Sequence, residues 1–243
     1  MNRHFAAVAI LAAFAYAVPA SGADASAKKW KDAAEVSVVS TNGNSKSQTT
    51  SAKNNFSYKF NELTSLNVEA GALGARGEGK VTAEQYFVVE KAIHKLDDRN
   101  YIFERYRWDR NRFMDLAHRH DLSAGVGREL WKTPADLLVG EVAPGYINEE
   151  RFRDRRKSFA SARAYSKYTH DFTPAARFSQ DLEYIQSLKD KRDNRINTET
   201  ALTAAFNSVF SVKNSFIWRH DSRPATGARK DDTILAVAMI AGF

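Results

Sequence analysis

The stretch Asp232–Phe243 reads DTILAVAMIAGF. Successive side chains of an extended chain point to opposite faces, so Thr233, Leu235, Val237, Met239, Ala241 and Phe243 share one side. Ile234, Ala236, Ala238 and Ile240 occupy the other, and they are apolar too. The whole chain is polar, with a mean hydropathy of -0.49. A strand this apolar within it needs an apolar phase to face. A bilayer provides one and the core of a soluble β-sandwich another.

The remaining chain favours the bilayer. Alternation with period two recurs along it. Leu66, Val68, Ala70 and Ala72 oppose Asn67, Glu69 and Gly71; Ala160, Ala162, Ala164 and Tyr168 oppose Ser161, Arg163, Lys167 and Thr169. Phe178, Leu182 and Tyr184 oppose Arg177, Asp181 and Glu183, and Val212, Phe216 and Trp218 oppose Lys213, Ser215 and Arg219. Counting such runs predicts about twelve strands, each near the ~9–11 residues that cross a bilayer when tilted. They fall near 32–41, 47–60, 63–75, 81–95, 100–112, 118–131, 136–147, 158–170, 175–188, 196–206, 210–220 and 232–243. Connections after even-numbered strands are tight, as at Asn61-Glu62 and Asp97-Asp98-Arg99. Most of the others are longer and charged, as in INEERFRDRRK (147–157), LKDKRDNR (188–195) and DSRPATGARKD (221–231). Short turns at one end and long loops at the other are the habit of outer-membrane barrels, whose short turns are periplasmic.

The first residues fit export. Arg3 and His4 precede an apolar run from Phe5 to Val18, and Ser21-Gly22-Ala23 supplies small residues where a signal peptidase cuts. Residues 1–23 are therefore expected to be a signal peptide cleaved near Ala23, and 24–243 a single barrel domain. Cysteine is absent, which excludes disulfides, thiol catalysis and thiolate metal sites. The formal charge of +7 is spread along the chain. With export, that argues against nucleic acid and for anionic lipid headgroups or lipopolysaccharide.

Magnitudes decide which face meets lipid. A Lys or Arg held at mid-bilayer on the lipid face costs roughly 2–4 kcal/mol, so the ionic faces must enclose water. An open sheet would leave unsatisfied edge amides in hydrocarbon, so the sheet must close. The expected lumen charges are Glu69, Glu84, Glu90, Arg105, Arg107, Arg163, Lys167, Arg177, Asp181 and Glu183. Glu104 falls on the lipid side beside Ile102 and Tyr106, which calls for a bulge or a place near the periplasmic rim.

Several stretches together resemble a YdiY-like family of salt-induced outer-membrane proteins of unknown function. They are EVSVVSTNGNSKSQTT (35–50), LTSLNVEAGALGARGEG (63–79), YIFERYRWDRNRF (101–113), LSAGVGREL (122–130), FIWRHDSRP (216–224) and KDDTILAVAMIAGF (230–243). The resemblance implies an outer-membrane β-barrel and brings no catalytic residues; its salt-induced label describes expression, not activity. The row Leu235, Val237, Met239, Ala241 and Phe243 likewise resembles the signal that barrel-assembly machinery reads, an extended edge whose alternate side chains fill pockets.

Site chemistry is sparse. His118 and His120 share a strand face as two metal ligands would, without a third ligand placed by sequence. His220 and Asp221 suggest an outward catalytic pair of a lipid hydrolase, but the neighbouring Ser215 points inward and supplies no nucleophile. No catalytic residue, cofactor or metal site is assigned. The expectation is a structural barrel or narrow pore with a charged lumen, with a membrane-embedded lipid hydrolase as the alternative.

Overall fold

The computed structural model describes residues 28–41, 47–153, 156–226 and 228–243. The expected signal peptide and its cleavage site lie outside these residues, as do Asp154 and Arg155 of the basic connection. Twelve strands follow in order: β1 (Trp30–Thr41), β2 (Ser47–Lys59), β3 (Thr64–Gly77), β4 (Lys80–Lys95), β5 (Asn100–Asn111), β6 (Leu116–Lys132), β7 (Asp136–Arg151), β8 (Lys157–Thr173), β9 (Ala176–Ser187), β10 (Asn194–Ala205), β11 (Phe210–Asp221) and β12 (Asp231–Gly242). Each pairs antiparallel with its sequence neighbours, and β1 pairs with β12 to close one barrel. The ladders satisfy the backbone of a chain that alternates apolar and polar residues, which is what a spanning sheet requires.

The short-turn end is built from one repeated device. Asn61 Oδ1 accepts from the amides of Leu63 and Thr64, and Asp97 Oδ1 from those of Arg99 and Asn100. Thr133 Oγ1 accepts from Ala135 and Asp136, Thr173 Oγ1 from Ala175, and Asn207 Oδ1 from Val209 and Phe210. An Asx or Ser/Thr turn thus reverses the chain at all five of these connections. Phe60, Leu96, Phe172 and Phe206 stand just before four of these turns with their side chains exposed.

The other end differs from expectation in two places. β7 continues to Arg151, so Glu149 and Arg151 belong to the wall and not to a solvated loop. The connection between β3 and β4 is a tight turn at Glu78 and Gly79, both with positive φ. Glycine at the second position accepts that backbone without a Cβ penalty.

The two faces of the sheet separate by chemistry. Leu122, Val126, Val142, Tyr146, Leu182, Phe216, Val237 and Met239 are exposed on the outside. Arg105, Asp121, Glu141, Glu149, Arg163, Glu183, Arg195 and Asp221 are buried on the inside. Beside them Ile147, Phe159 and Ile185 form a small apolar cluster. The inner glycines give room to neighbours: a Cβ at Gly71 would lie 2.4 Å from the Phe87 ring, and one at Gly127 2.2 Å from Tyr101.

The barrel closes unevenly. β1 and β12 pair only from Ala33↔Gly242 to Val36↔Met239, extended by two backbone hydrogen bonds between Asp32 and Phe243. Neighbouring ladders run nearly the full strand, as from Trp30↔Tyr58 to Thr41↔Ser47.

Candidate functional site: the charged lumen

The inner wall carries a belt of charge near mid-height. Glu35 (β1) stands across from Lys53 (β2), Lys91 (β4) across from Arg105 (β5), and Lys167 (β8) across from Asp181 (β9), which in turn faces Glu199 (β10). Lys53 reaches Glu69 of β3 at 3.0 Å. Lys213 of β11 bridges Glu199 at 2.5 Å and Glu35 at 3.4 Å. Every strand except β12 feeds this belt or the networks above it.

On the β4–β9 side the belt becomes a bar across the lumen. Arg163 donates from Nε to Glu183 Oε1 at 2.6 Å and from Nη1 to Glu141 Oε2 at 3.1 Å. Lys91 donates to Glu141, which also accepts the Tyr101 hydroxyl at 2.7 Å. Arg105 joins Glu183 at 3.4 Å to Asp121 at 3.2 Å. Toward the long loops a second network centres on Glu149, which is 0% exposed. It accepts from Arg119 at 3.0 Å, Arg151 at 2.7 Å and Arg195 at 2.7 Å, and Arg195 extends to Asp221 at 3.3 Å. Buried charge is tolerable only when each ion is paired and hydrogen-bonded, and these are.

The bar fills one side only. Along β10–β12 and β1–β4 a cavity of about 570 Å³ remains, reaching from Asn55 and Ile240 near the short turns to Gln85 and Arg219 toward the loops. Its far wall mixes the apolar Leu73, Phe87, Ile217, Ile234 and Ala236 with the charged Glu35, Lys53, Glu69 and Lys213. A second cavity of about 70 Å³ lies among Arg107, Asp109, Arg119 and Arg195.

Glu69, Arg105, Arg107, Arg163, Lys167, Asp181 and Glu183 all line the larger cavity. Arg177 keeps the inner register but stands at the short-turn mouth, where Asp171 takes its Nε and Nη2 at 2.5 and 2.9 Å. Two expected lumen charges are corrected. Glu84 and Glu90 neighbour the inward Gln85 and Lys91, so alternation turns both to the outer wall. Glu84 meets Arg112 there at 3.5 Å, and Glu90 is exposed opposite the outward Tyr106. Glu104 is outward as expected, but no bulge excuses it: its register with Ala92 and Ala124 is regular, and the β5 irregularity lies between Asp109 and Asn111. Sequence reading missed Lys91, Asp121, Glu141, Glu149 and Arg195, the centres of both networks. Their inward alternation was visible, but their mutual contacts span strands remote in sequence.

His118, His120 and His220 sit on the outer wall. Tyr106 Oη lies 2.7 Å from His120 Nδ1, and Trp108 Nε1 donates to His118 Nδ1 at 3.3 Å. The two imidazoles lie 6.5 Å apart, and no cluster of three or more His, Asp or Glu able to hold a metal occurs among the described residues. His220 Nδ1 lies 2.8 Å from Asp231 Oδ1; Ser215 is buried on the opposite face of β11.

A closed antiparallel barrel of twelve strands, apolar outside and ionic within, defines the class of porin-like β-barrels. Two solved structures share the architecture: the translocator domain of the autotransporter NalP from Neisseria meningitidis, with a TM-score of 0.55 at 12% identity over 90% of each chain, and the NanC porin, with 0.52 at 10% identity over 87% of this chain and 97% of that one. By sequence the chain belongs to the family described as "Protein of unknown function, DUF481", whose model matches residues 34–243. It is similar to the uncharacterized protein YdiY of Escherichia coli (strain K12), at 24% identity over 205 residues, covering 84% of this chain and 79% of that protein.

Proposed function

We propose that the chain is an outer-membrane barrel with a narrow aqueous passage along one side of its lumen. The carrying observation is the cavity of about 570 Å³ beside the ion-pair bar, which extends from Asn55 and Ile240 on the short-turn side to Gln85 and Arg219 on the loop side. Alternating charges on its wall replace part of an ion's hydration shell and set the field it crosses. In this reading the signal peptide directs export, the short turns are periplasmic, and the outward row of β12 docks on the assembly machinery. Exposed loop cations such as Arg153 and Arg192 meet lipopolysaccharide phosphates, for which Arg is suited. A role under salt stress belongs to the same reading and rests on the family resemblance.

Planar-bilayer recording tests the passage. Folded protein is expected to give small, steady conductance steps, and Ser215→Trp, placed on the cavity wall, to abolish them. Absence of current at either polarity from protein that is folded by gel mobility rejects the passage.

A further inference from the structure

The unpaired half of the β1/β12 seam coincides with the one break in the lumen charge belt. Above Val36 and Met239 the two strands run on without pairing to each other. β1 continues to Thr41 in register with β2, and β12 is laddered to β11 from His220↔Asp231 downward. Ser37–Thr41 and Asp231–Ala238 are therefore strand edges bonded on one side only. Edges of this kind do not face hydrocarbon unaided; their polar groups need water or another partner.

The surface around this opening is apolar on both sides of the wall. Outside, Leu235 is 75% exposed, with Val237 and Met239 beside it. Inside, Ile234, Ala236, Ile240 and the adjacent Ile217 line the larger cavity. Apolar surface thus runs from the outer wall, around the β12 edge, into the lumen. At the loop side of the inner strip stands Arg219, two residues from Ile217 and across from Asp232. It donates to Gln85 Oε1 at 3.0 Å; Asp109 and Asp232 attract it, but among the described residues neither closes to a salt-bridge contact with it. A guanidinium has five N–H donors in a planar fork that fits carboxylate or phosphate.

We infer that the loop-end half of the β1/β12 seam is a lateral portal for a single-chain anionic amphiphile, its chain lying against Ile217, Ile234 and Ala236 and its head at Arg219. The cavity is of the size that small-ligand sites occupy, about 300–1,000 Å³, and the apolar strip of Ile217, Ile234 and Ala236 that ends at a cation matches that ligand. The head is a carboxylate, as in a free fatty acid, or a phosphate, as in a lysophospholipid. The portal rests on the membrane placement proposed above but does not require ion conduction.

The natural chain lacks cysteine, which permits a clean test. Ser37→Cys and Ala238→Cys place thiols where the next pair of the ladder would form. The full-length double variant in nanodiscs is titrated with a fluorescent fatty acid and a fluorescent lysophospholipid, reduced and then after oxidative cross-linking. Reduced protein is expected to bind at least one probe, cross-linked protein to lose that binding, and reductant to restore it. Arg219→Gln, checked for folding by gel mobility, should weaken binding about tenfold through the lost charge-assisted contact, and the probe that it weakens identifies the head. Reduced, folded protein that binds neither probe overturns the portal. So does binding unchanged by the cross-link, or cross-linking between two copies in place of within one. Conductance of the same samples separates the two proposals: a barrel that conducts without binding amphiphile loses the portal and keeps the passage.

Discussion

Asp97 shows what one side chain does to a turn. Its Oδ2 accepts from Asn100 Nδ2 at 2.7 Å and its Oδ1 from the Arg99 and Asn100 amides at 2.8 and 2.7 Å. The Asn100 side chain first, then those amides, lower its pKa from 3.8 to about 2. A carboxyl lowered by folding contributes stability that is complete above the unfolded value and lost as pH falls through the folded one. The turn between β4 and β5 should therefore loosen between about pH 4 and pH 2. Asp97→Asn keeps the acceptor, as Asn61 and Asn207 do, and should remove that dependence. Amide exchange at Asn100 measures it, and equal acid sensitivity in the variant contradicts the assignment. Gly127 illustrates a different residue-level constraint. A side chain there meets the Tyr101 ring and drives its hydroxyl from Glu141. Gly127→Val should destabilise the barrel by ~1–3 kcal/mol, the usual cost of overpacking. Combining it with Tyr101→Ala should recover part of the loss, as coupled neighbours do, whereas additive losses in denaturant unfolding would refute the contact. The glycines of LSAGVGREL are visible as a pattern, but their reasons lie on adjacent strands: the Tyr101 ring of β5 for Gly127, and Val142 and Ala143 of β7 for Gly125.

Strands were the legible level because alternation is a local property of the chain. The apolar row of β8, Ala160, Ala162 and Ala164, stands outside with Arg163 and Lys167 inside, as period two requires. Reading failed where charge was used as a sign of loop. Glu149 and Arg151 look like solvated loop residues until Arg119 and Arg195 arrive from β6 and β10 to pair with Glu149. Charge is an equally poor guide at Glu84 and Glu90, whose alternation with the inward Gln85 and Lys91 turns them outward. β4 and β5 in fact carry Glu90 and Glu104 outward as diagonal neighbours across the ladder, since Glu90 opposes Tyr106. In a bilayer a carboxylate on this face is unfavourable, though less so than the roughly 2–4 kcal/mol of a midplane Lys or Arg. Glu104→Leu should stabilise the barrel by about 1–2 kcal/mol in bilayers on that scale. Urea unfolding from phospholipid vesicles measures the change. A loss of stability would mean that this stretch of wall contacts something other than lipid.

At the scale of the molecule, the lumen is divided: one side sealed by ion pairs, the other left hollow. The seal depends on Arg163, which holds Glu141 and Glu183 together across β7, β8 and β9. Its guanidinium is buried, so its removal leaves Glu141 with Lys91 and Glu183 with Arg105 as their remaining cations, and nothing then joins the two carboxylates. Breaking a buried ionic cluster by deleting one partner typically costs ~3–5 kcal/mol. Because each carboxylate keeps one cation, Arg163→Ala should lower unfolding stability by at most about that amount and, by vacating the centre of the bar, widen the passage. The quadruple variant Arg163→Met, Lys91→Met, Glu141→Gln, Glu183→Gln removes the charges along with their need for partners, while Arg105 keeps Asp121. Replacing a buried ionic cluster by neutral groups of similar volume is often close to neutral for stability, so this variant should recover most of the lost stability while leaving the bar's bulk in place. Its conductance should then stay near that of the natural chain, whereas that of Arg163→Ala should exceed it. If both variants conduct like the natural protein, current does not pass beside the bar. If the quadruple variant is as unstable as Arg163→Ala, the cost comes from lost packing and not from unbalanced charge.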